Sequence, residues 1–403
     1  MKVSKVTSLI MLVISSVNVS AQQFQNPASV EFGSFDVTPT VDFGLRYDDN
    51  LIRSNVNKIS SWSQIISPQV VILDSFGESQ VRVGYRLRNE RFFSSSEDNY
   101  TDHFFNAGVD FELNSRNRLD VGIDFTDGHE DRGTGFSIGN AEPLTSPDRF
   151  TQSQFDMLYS HGAFNADGRL DINFNVTNRY YDIDTPEYRA RDRSFTNVGG
   201  TFFYRIGAVT DATFDIIYRD VSYKFDLNAL SPLDSKQVSY LVGLDWEATA
   251  RTSGFAKIGY QEKNFDSPLR DGFKGIDWAA GILWEPVMYS TVNFTTSNDT
   301  DETNGEGNFI RGRDYAVEWR HDWITEKLRS STSYTWGTDR YEGQISDIGI
   351  REDDLVRFRA SLYYQFRRYM NIEVGYIYDE RESNRTAIEY DRNQFIINAL
   401  FTL

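Results

Sequence analysis

Charged residues on alternate positions are the part of this chain whose types and spacing could do chemistry. Arg82, Arg86 and Arg88 alternate with Val81, Val83, Tyr85 and Leu87, and Asp120 and Asp124 alternate with Leu119, Val121, Ile123 and Phe125. Arg357 and Arg359 repeat the pattern with Val356, Phe358 and Ala360, as do Arg320 and Glu318, Arg329, and Glu373 near the other end. Period 2 places all the charges of such a stretch on one face of a strand and the apolar residues on the other. Facing a wet interior, they would offer forked guanidinium donors and carboxylate acceptors to a polar solute. Arg320, Arg329, Arg357 and Arg359 fall on three consecutive strands, where they either form a positive ladder along one wall or pair with Glu318, Asp322 and Glu373 and stiffen it.

Enzymatic chemistry finds little support in the spacing. The four histidines, His103, His129, His161 and His321, include no HExxH pair, and there is no G-x-S-x-G elbow and no cysteine. No cofactor and no metal are expected. A Ser-His or Asp-His pair across neighbouring strands stays open to a barrel enzyme, with His129 as the first candidate, although a solvated interface histidine is the plainer reading of that residue. The run Asn298–Glu306 has the look of a calcium loop, but its glycine comes one place late for the EF-hand pattern, and a solvated acidic loop is the plainer reading.

The strands that carry these residues recur along the chain. Phe35 to Tyr47 opens the series, with Val37, Val41, Phe43, Leu45 and Tyr47 on one face, and Asn393 to Leu403 closes it, with Phe395, Ile397, Ala399, Phe401 and Leu403 in a row. On its other face Ile396 and Leu400 interrupt the polar residues. Connections alternate between short turns and long polar loops, the longest running from Asp131 to Arg149, which could fold inward or stand out as a cap. That alternation is the asymmetry of bacterial outer-membrane barrels, and the segments between the turns number about 18. The expected fold is therefore all-β, a transmembrane antiparallel barrel of the outer-membrane type, its last strand pairing with its first. A barrel of that size encloses water.

Composition agrees. Hydrophobic residues make up 39% of the chain while aromatics reach 15%, with 30 Phe and 22 Tyr, which suits a wall greasy on alternate residues only. Pairs such as Trp278 with Trp284, Trp319 with Trp323, and Tyr334 with Trp336 are expected at the two interfaces. A formal charge of −18 argues against nucleic acid as a partner. Past the N-terminus no segment approaches the ~18 apolar residues of a membrane helix. Met1, Lys2 and Lys5, the apolar run Ser8 to Val17 and Val19-Ser20-Ala21 read as a signal peptide cleaved after Ala21. The expected division is 1–21 signal peptide, 22–34 a short periplasmic lead without periodicity, and 35–403 the barrel, set in outer-membrane lipid and lipopolysaccharide by the barrel assembly machinery of a Gram-negative cell.

Phe35-Asp-Val-Thr-Pro39 followed by Tyr47-Asp-Asp-Asn-Leu51 resembles the opening of a family of outer-membrane β-barrel porins, the β-barrel porin 2 type, and the likeness extends more weakly to the C-terminus. Members of that family often accompany exopolysaccharide or capsule synthesis genes. The resemblance implies passive export of a polysaccharide chain, alongside a periplasmic polysaccharide-export protein. On that reading Arg82, Arg86, Arg357 and Arg359 carry acidic sugars, while Asp120, Asp124 and Glu373 balance the lining. A general or oligosaccharide-uptake porin is the alternative, and a barrel enzyme or structural surface protein a second one. The family's chains commonly end on an aromatic residue, and this one ends Phe401-Thr402-Leu403.

Overall fold

The computed structural model describes residues 29–163, 166–249, 251–323, 327–343 and 349–402. The expected signal peptide, its cleavage site and Leu403 lie outside them. Strands dominate: β1 Val30–Phe32, β2 Phe35–Asp48, β3 Ser61–Phe76, β4 Ser79–Phe92, β5 Tyr100–Asn114, β6 Asn117–Glu130, β7 Asp148–His161, β8 Gly168–Tyr181, β9 Arg193–Gly207 and β10 Thr210–Tyr223. They continue with β11 Ser235–Thr249, β12 Thr252–Phe265, β13 Phe273–Val287, β14 Ser290–Glu302, β15 Phe309–Asp322, β16 Leu328–Glu342, β17 Glu352–Arg367, β18 Met370–Ser383 and β19 Tyr390–Thr402.

From β2 onward each strand pairs antiparallel with the next, and β19 pairs with β2 over Gln394↔Asp48 to Thr402↔Thr40. Eighteen strands thus close into a barrel with no edge left in the wall, as the alternation predicts. The lead is not wholly without structure. β1 folds back on the start of β2, Val30 opposite Val37, through a turn in which Gly33 takes φ +68°.

Alternation sorts the wall. On β2, Phe43 and Leu45 keep 46% and 45% of their surface outside while Thr38 and Thr40 keep 9% and 7% inside. In water so many exposed large apolar side chains would be a liability; against lipid tails they are the required face. Aromatic rows border that face. Tyr47 packs on Trp62 with centroids 5.3 Å apart and Tyr376 on Phe395 at 5.1 Å toward the long-loop end. Tyr364, Phe366 and Tyr369 stand exposed toward the short-turn end. Leu362, Val374, Ile397 and Leu45 form one cross-strand row midway between the two borders.

Ile397 is therefore lipid-facing at mid-depth, and its neighbour Ile396 lines the lumen. Ile397→Arg should cost about 2–4 kcal/mol of folding stability, whereas Ile396→Arg should cost far less. Urea midpoints of the two variants folded into lipid vesicles, read by heat-modifiable electrophoretic migration, check the pair. Equal losses would contradict the assigned faces.

Candidate functional site

The lumen holds a cavity of about 1550 Å³. Of the residues expected to form its lining, Arg86, Arg88, Asp120, Arg357 and Arg359 border it directly. Arg82 shares their row on β4, opposite Gly108, and stands exposed. Asp124 sits opposite Gln154, Glu318 opposite Ser333 and Arg320 opposite Ser331, all on lumen-facing rows. Arg329 and Glu373 are also inside but are engaged with neighbours.

Those engagements decide between the two readings of the arginine wall. Arg329 binds Asp322, Arg357 binds Asp379, and Arg359 lies 3.4 Å from Glu373, which also accepts from Ser361 Oγ at 3.0 Å and Asn398 Nδ2 at 3.1 Å. The ladder is paired, not free. Arg357 still leaves 53% of its side chain open to the lumen. The same logic governs β4. Glu90 is fully buried and takes Arg46 at 2.6 Å, Arg88 at 3.3 Å, Ser63 Oγ at 2.5 Å and Tyr100 Oη at 2.5 Å. A carboxylate can stay charged there only because two guanidiniums and two hydroxyls fill its acceptor sites. Arg86 instead lies over the Phe104 ring, 4.3 Å from its centroid.

At the long-loop end the lumen is narrowed from two sides. The segment joining β6 to β7 stays over the mouth. Arg53 holds its root through Asp131 Oδ2 at 2.8 Å and the Arg132 carbonyl at 3.3 Å; Arg132 in turn grips Asp98. Gly133 is forced by this approach: its φ is +83°, and a Cβ there would sit 2.1 Å from the Ile52 carbonyl oxygen. Farther along, Asn57 donates to Glu142 at 2.7 Å, Gly139 lies against Ile388, and Phe136 meets Tyr181 edge-on at 6.1 Å with Arg191 over its face at 4.3 Å. The segment so touches the loops beside β2, β8 and β19 and borders both cavities of the lumen; of the two placements open to it, it folds inward, as a cap bent over the mouth and not one standing out from it.

The second narrowing corrects an expectation. Asn298–Glu302, expected in a solvated acidic loop, is the outer end of β14. It leaves β13 at Asn298 and turns toward the lumen side of β11 and β12. Thr300, fully buried, donates to Gln237 Oε1 at 2.8 Å, and Glu302 binds Lys263 and Tyr223. β13 is left unpaired with β14 over its first five residues, 273–277, and Gly275 there sits on the lumen row opposite the buried Gln261. Between the two narrowings lies a smaller cavity of about 490 Å³, bordered by Phe136, Tyr223, Phe225 and Arg270.

His129 realises the cross-strand Asp-His pair that spacing could not reveal. Its Nδ1 is 2.9 Å from Asp102, its Nε2 is 3.1 Å from Asp131, and its ring stacks on Tyr100 with centroids 3.7 Å apart. With both nitrogens committed to carboxylates, neither is left to take a proton from a nucleophile. The ring anchors the cap. At Asp131, removal from water pushes the carboxyl up, and Arg53 with His129 outweighs that and holds it well below the ordinary 3.8.

A family model described as "Putative beta-barrel porin 2" matches residues 25–402. Among solved structures the chain is similar to the FrpB iron transporter of Neisseria meningitidis, F3-3 variant, at 12% identity and TM-score 0.47, over 86% of this chain and 62% of that one. It is similar to OpdL of Pseudomonas aeruginosa at 12% identity and TM-score 0.48, and to OccAB3 of Acinetobacter baumannii at 9% and 0.48, over 92% of this chain and all of theirs in both cases. The chain thus spans less than two thirds of FrpB, and the resemblance to all three is one of fold. No curated protein matches.

Two outcomes follow from the anchors. Glu90→Ala leaves Arg46 and Arg88 without their buried partner and should cost about 3–5 kcal/mol, read as a lowered urea midpoint. A carboxyl held below its ordinary value contributes stability above that value and loses it only as pH falls through the lowered one. Protease cleavage of the cap should therefore be no faster at pH 4.5 than at pH 7 in the parent, and faster at both in Asp131→Asn. Acid-induced cleavage of the parent would contradict the Arg53–Asp131 anchor.

Proposed function

We propose, for a chain that belongs to the beta-barrel porin 2 family and is an outer-membrane porin, that it passes small hydrophilic solutes and selects them by size at its mouth. The single observation behind this reading is the cap: the 131–147 segment tied to Arg53, Asn57 and Ile388 over one side, with the end of β14 turned in from the other. A lining of paired charges suits such solutes. Arg46, Arg329, Arg357 and Arg359 each already have a carboxylate beside them, so a passing molecule exchanges weak contacts there without being trapped as an ion. No group in the lumen needs to do covalent chemistry for this.

Export of a polysaccharide chain is the second reading. It is favoured by Arg357, whose half-open guanidinium could offer exchangeable contacts to acidic sugars. The cap would then have to swing out, and a periplasmic export protein would supply the chain. Under either reading residues 1–21 serve as the signal peptide, 22–34 as the periplasmic lead, and assembly is into lipid and lipopolysaccharide by the barrel assembly machinery.

Swelling of proteoliposomes in polyethylene glycols of increasing mass tests the first reading. Permeation should stop at a sharp size limit, and replacing residues 134–146 with a short glycine-serine linker should raise that limit. A limit unchanged by the replacement would overturn the gating role of the cap. Loss of surface polysaccharide from cells lacking the protein, with synthesis intact, would favour export.

A further inference from the structure

One cross-strand row of the lumen links side chains of four successive strands. Arg219 on β10, Asn197 on β9, Asn175 on β8 and Asp156 on β7 are direct register partners. They form a continuous chain of hydrogen bonds: Arg219 Nε donates to Asn197 Oδ1 at 2.9 Å, Asn197 Nδ2 to Asn175 Oδ1 at 2.9 Å, and Asn175 Nδ2 to Asp156 Oδ1 at 2.7 Å. Gln154 holds the other oxygen of Asp156 at 2.7 Å. The row then continues without side chains, because the next two partners are Gly122 on β6 and Gly108 on β5, opposite one another. All six residues border the main cavity.

We propose that this row is a solute subsite for carbohydrate, meaning a neutral ring bearing vicinal hydroxyls; the inference rests on the channel reading and names its substrate class. Each asparagine spends one N–H on the row and keeps a second, and the Asp156 oxygens keep lone pairs, so donors and acceptors remain side by side. Adjacent hydroxyls, each donor and acceptor at once, match such an array. Arg219 and Asp156 cancel in charge, so the row gives a free ion little preference. The facing glycines leave a strip of bare backbone two strands wide, about 5 Å per strand, on which a ring can lie. A Cβ at Gly122 would meet nothing nearer than the Asp156 Cβ at 3.9 Å, so packing does not require the glycine. Phe195, two residues along β9 on the same face, supplies an apolar wall.

The test uses the full barrel and maltotriose, with a polyethylene glycol of similar mass as a size control. Calorimetric binding to the solubilised barrel and block of potassium chloride current in planar bilayers are measured for the parent, Asn175→Leu and Gly122→Val. The parent should bind maltotriose and not the glycol, and each variant should weaken binding about tenfold or more while still conducting. Absence of binding in the parent, or an affinity unchanged from the parent in both variants, overturns the subsite and leaves the channel reading standing if current flows. A parent that conducts no current overturns the channel reading, and calorimetry alone then judges the subsite. Should Asn175→Leu fail to insert, Gly122→Val carries the comparison by itself.

Discussion

Everything in this molecule depends on the pairing of β19 with β2. A sheet of eighteen strands in lipid has no water to satisfy a free edge, so the wall is stable only when its ends hydrogen-bond to each other. Nine register pairs do this along the strands. Side chains secure it at the mouth: Arg392 grips Asp48, Gln394 adds a third donor at 2.8 Å, and Asn393 holds Asp49 through both backbone and amide. On the lipid side Phe43 meets Phe401 edge-on with centroids 5.9 Å apart. The seam therefore combines a buried charge pair inside with aromatic packing outside.

Closure dictates what the interior can be. Alternate residues of every strand must point inward, and an interior too wide to fill with apolar side chains fills with water and charge. The charges then find each other, since an unpaired guanidinium or carboxylate in that half-buried setting is costly. Glu373, Asp379 and Asp48 each hold an arginine from a neighbouring strand, and Glu90 holds Arg88 of its own strand and Arg46 from two strands away. What remains for a solute is the spare valence of groups already paired, which favours passage over retention. The mouth repeats the principle, as the cap is held by Arg53–Asp131 and Arg132–Asp98, not by an apolar core.

Much of this was legible in the residues themselves. Strict period 2 gave strands, faces and strand number, and Phe35 and Tyr47 bounded the first strand to within one residue, because lipid on one side and water on the other leave each position only one acceptable kind of side chain. Even the apolar interruption at Ile396 followed from parity. The partners of the charges did not. Whether Arg357 meets Asp379 or points free depends on cross-strand register and shear, which no local pattern encodes. The inward turn of β14 was hidden for a related reason: Asn298–Glu302 is as polar as a surface loop, since Gln237, Gln261 and Lys263, which receive it, are polar too. The cap over the mouth and the row from Arg219 to Asp156 likewise join segments far apart in sequence. The sequence by itself determined a closed, wet barrel through the period of its side chains. Which inward groups neutralise each other, and where the lumen narrows, only the tertiary structure decided, because those depend on register between strands and on loops that meet across the mouth.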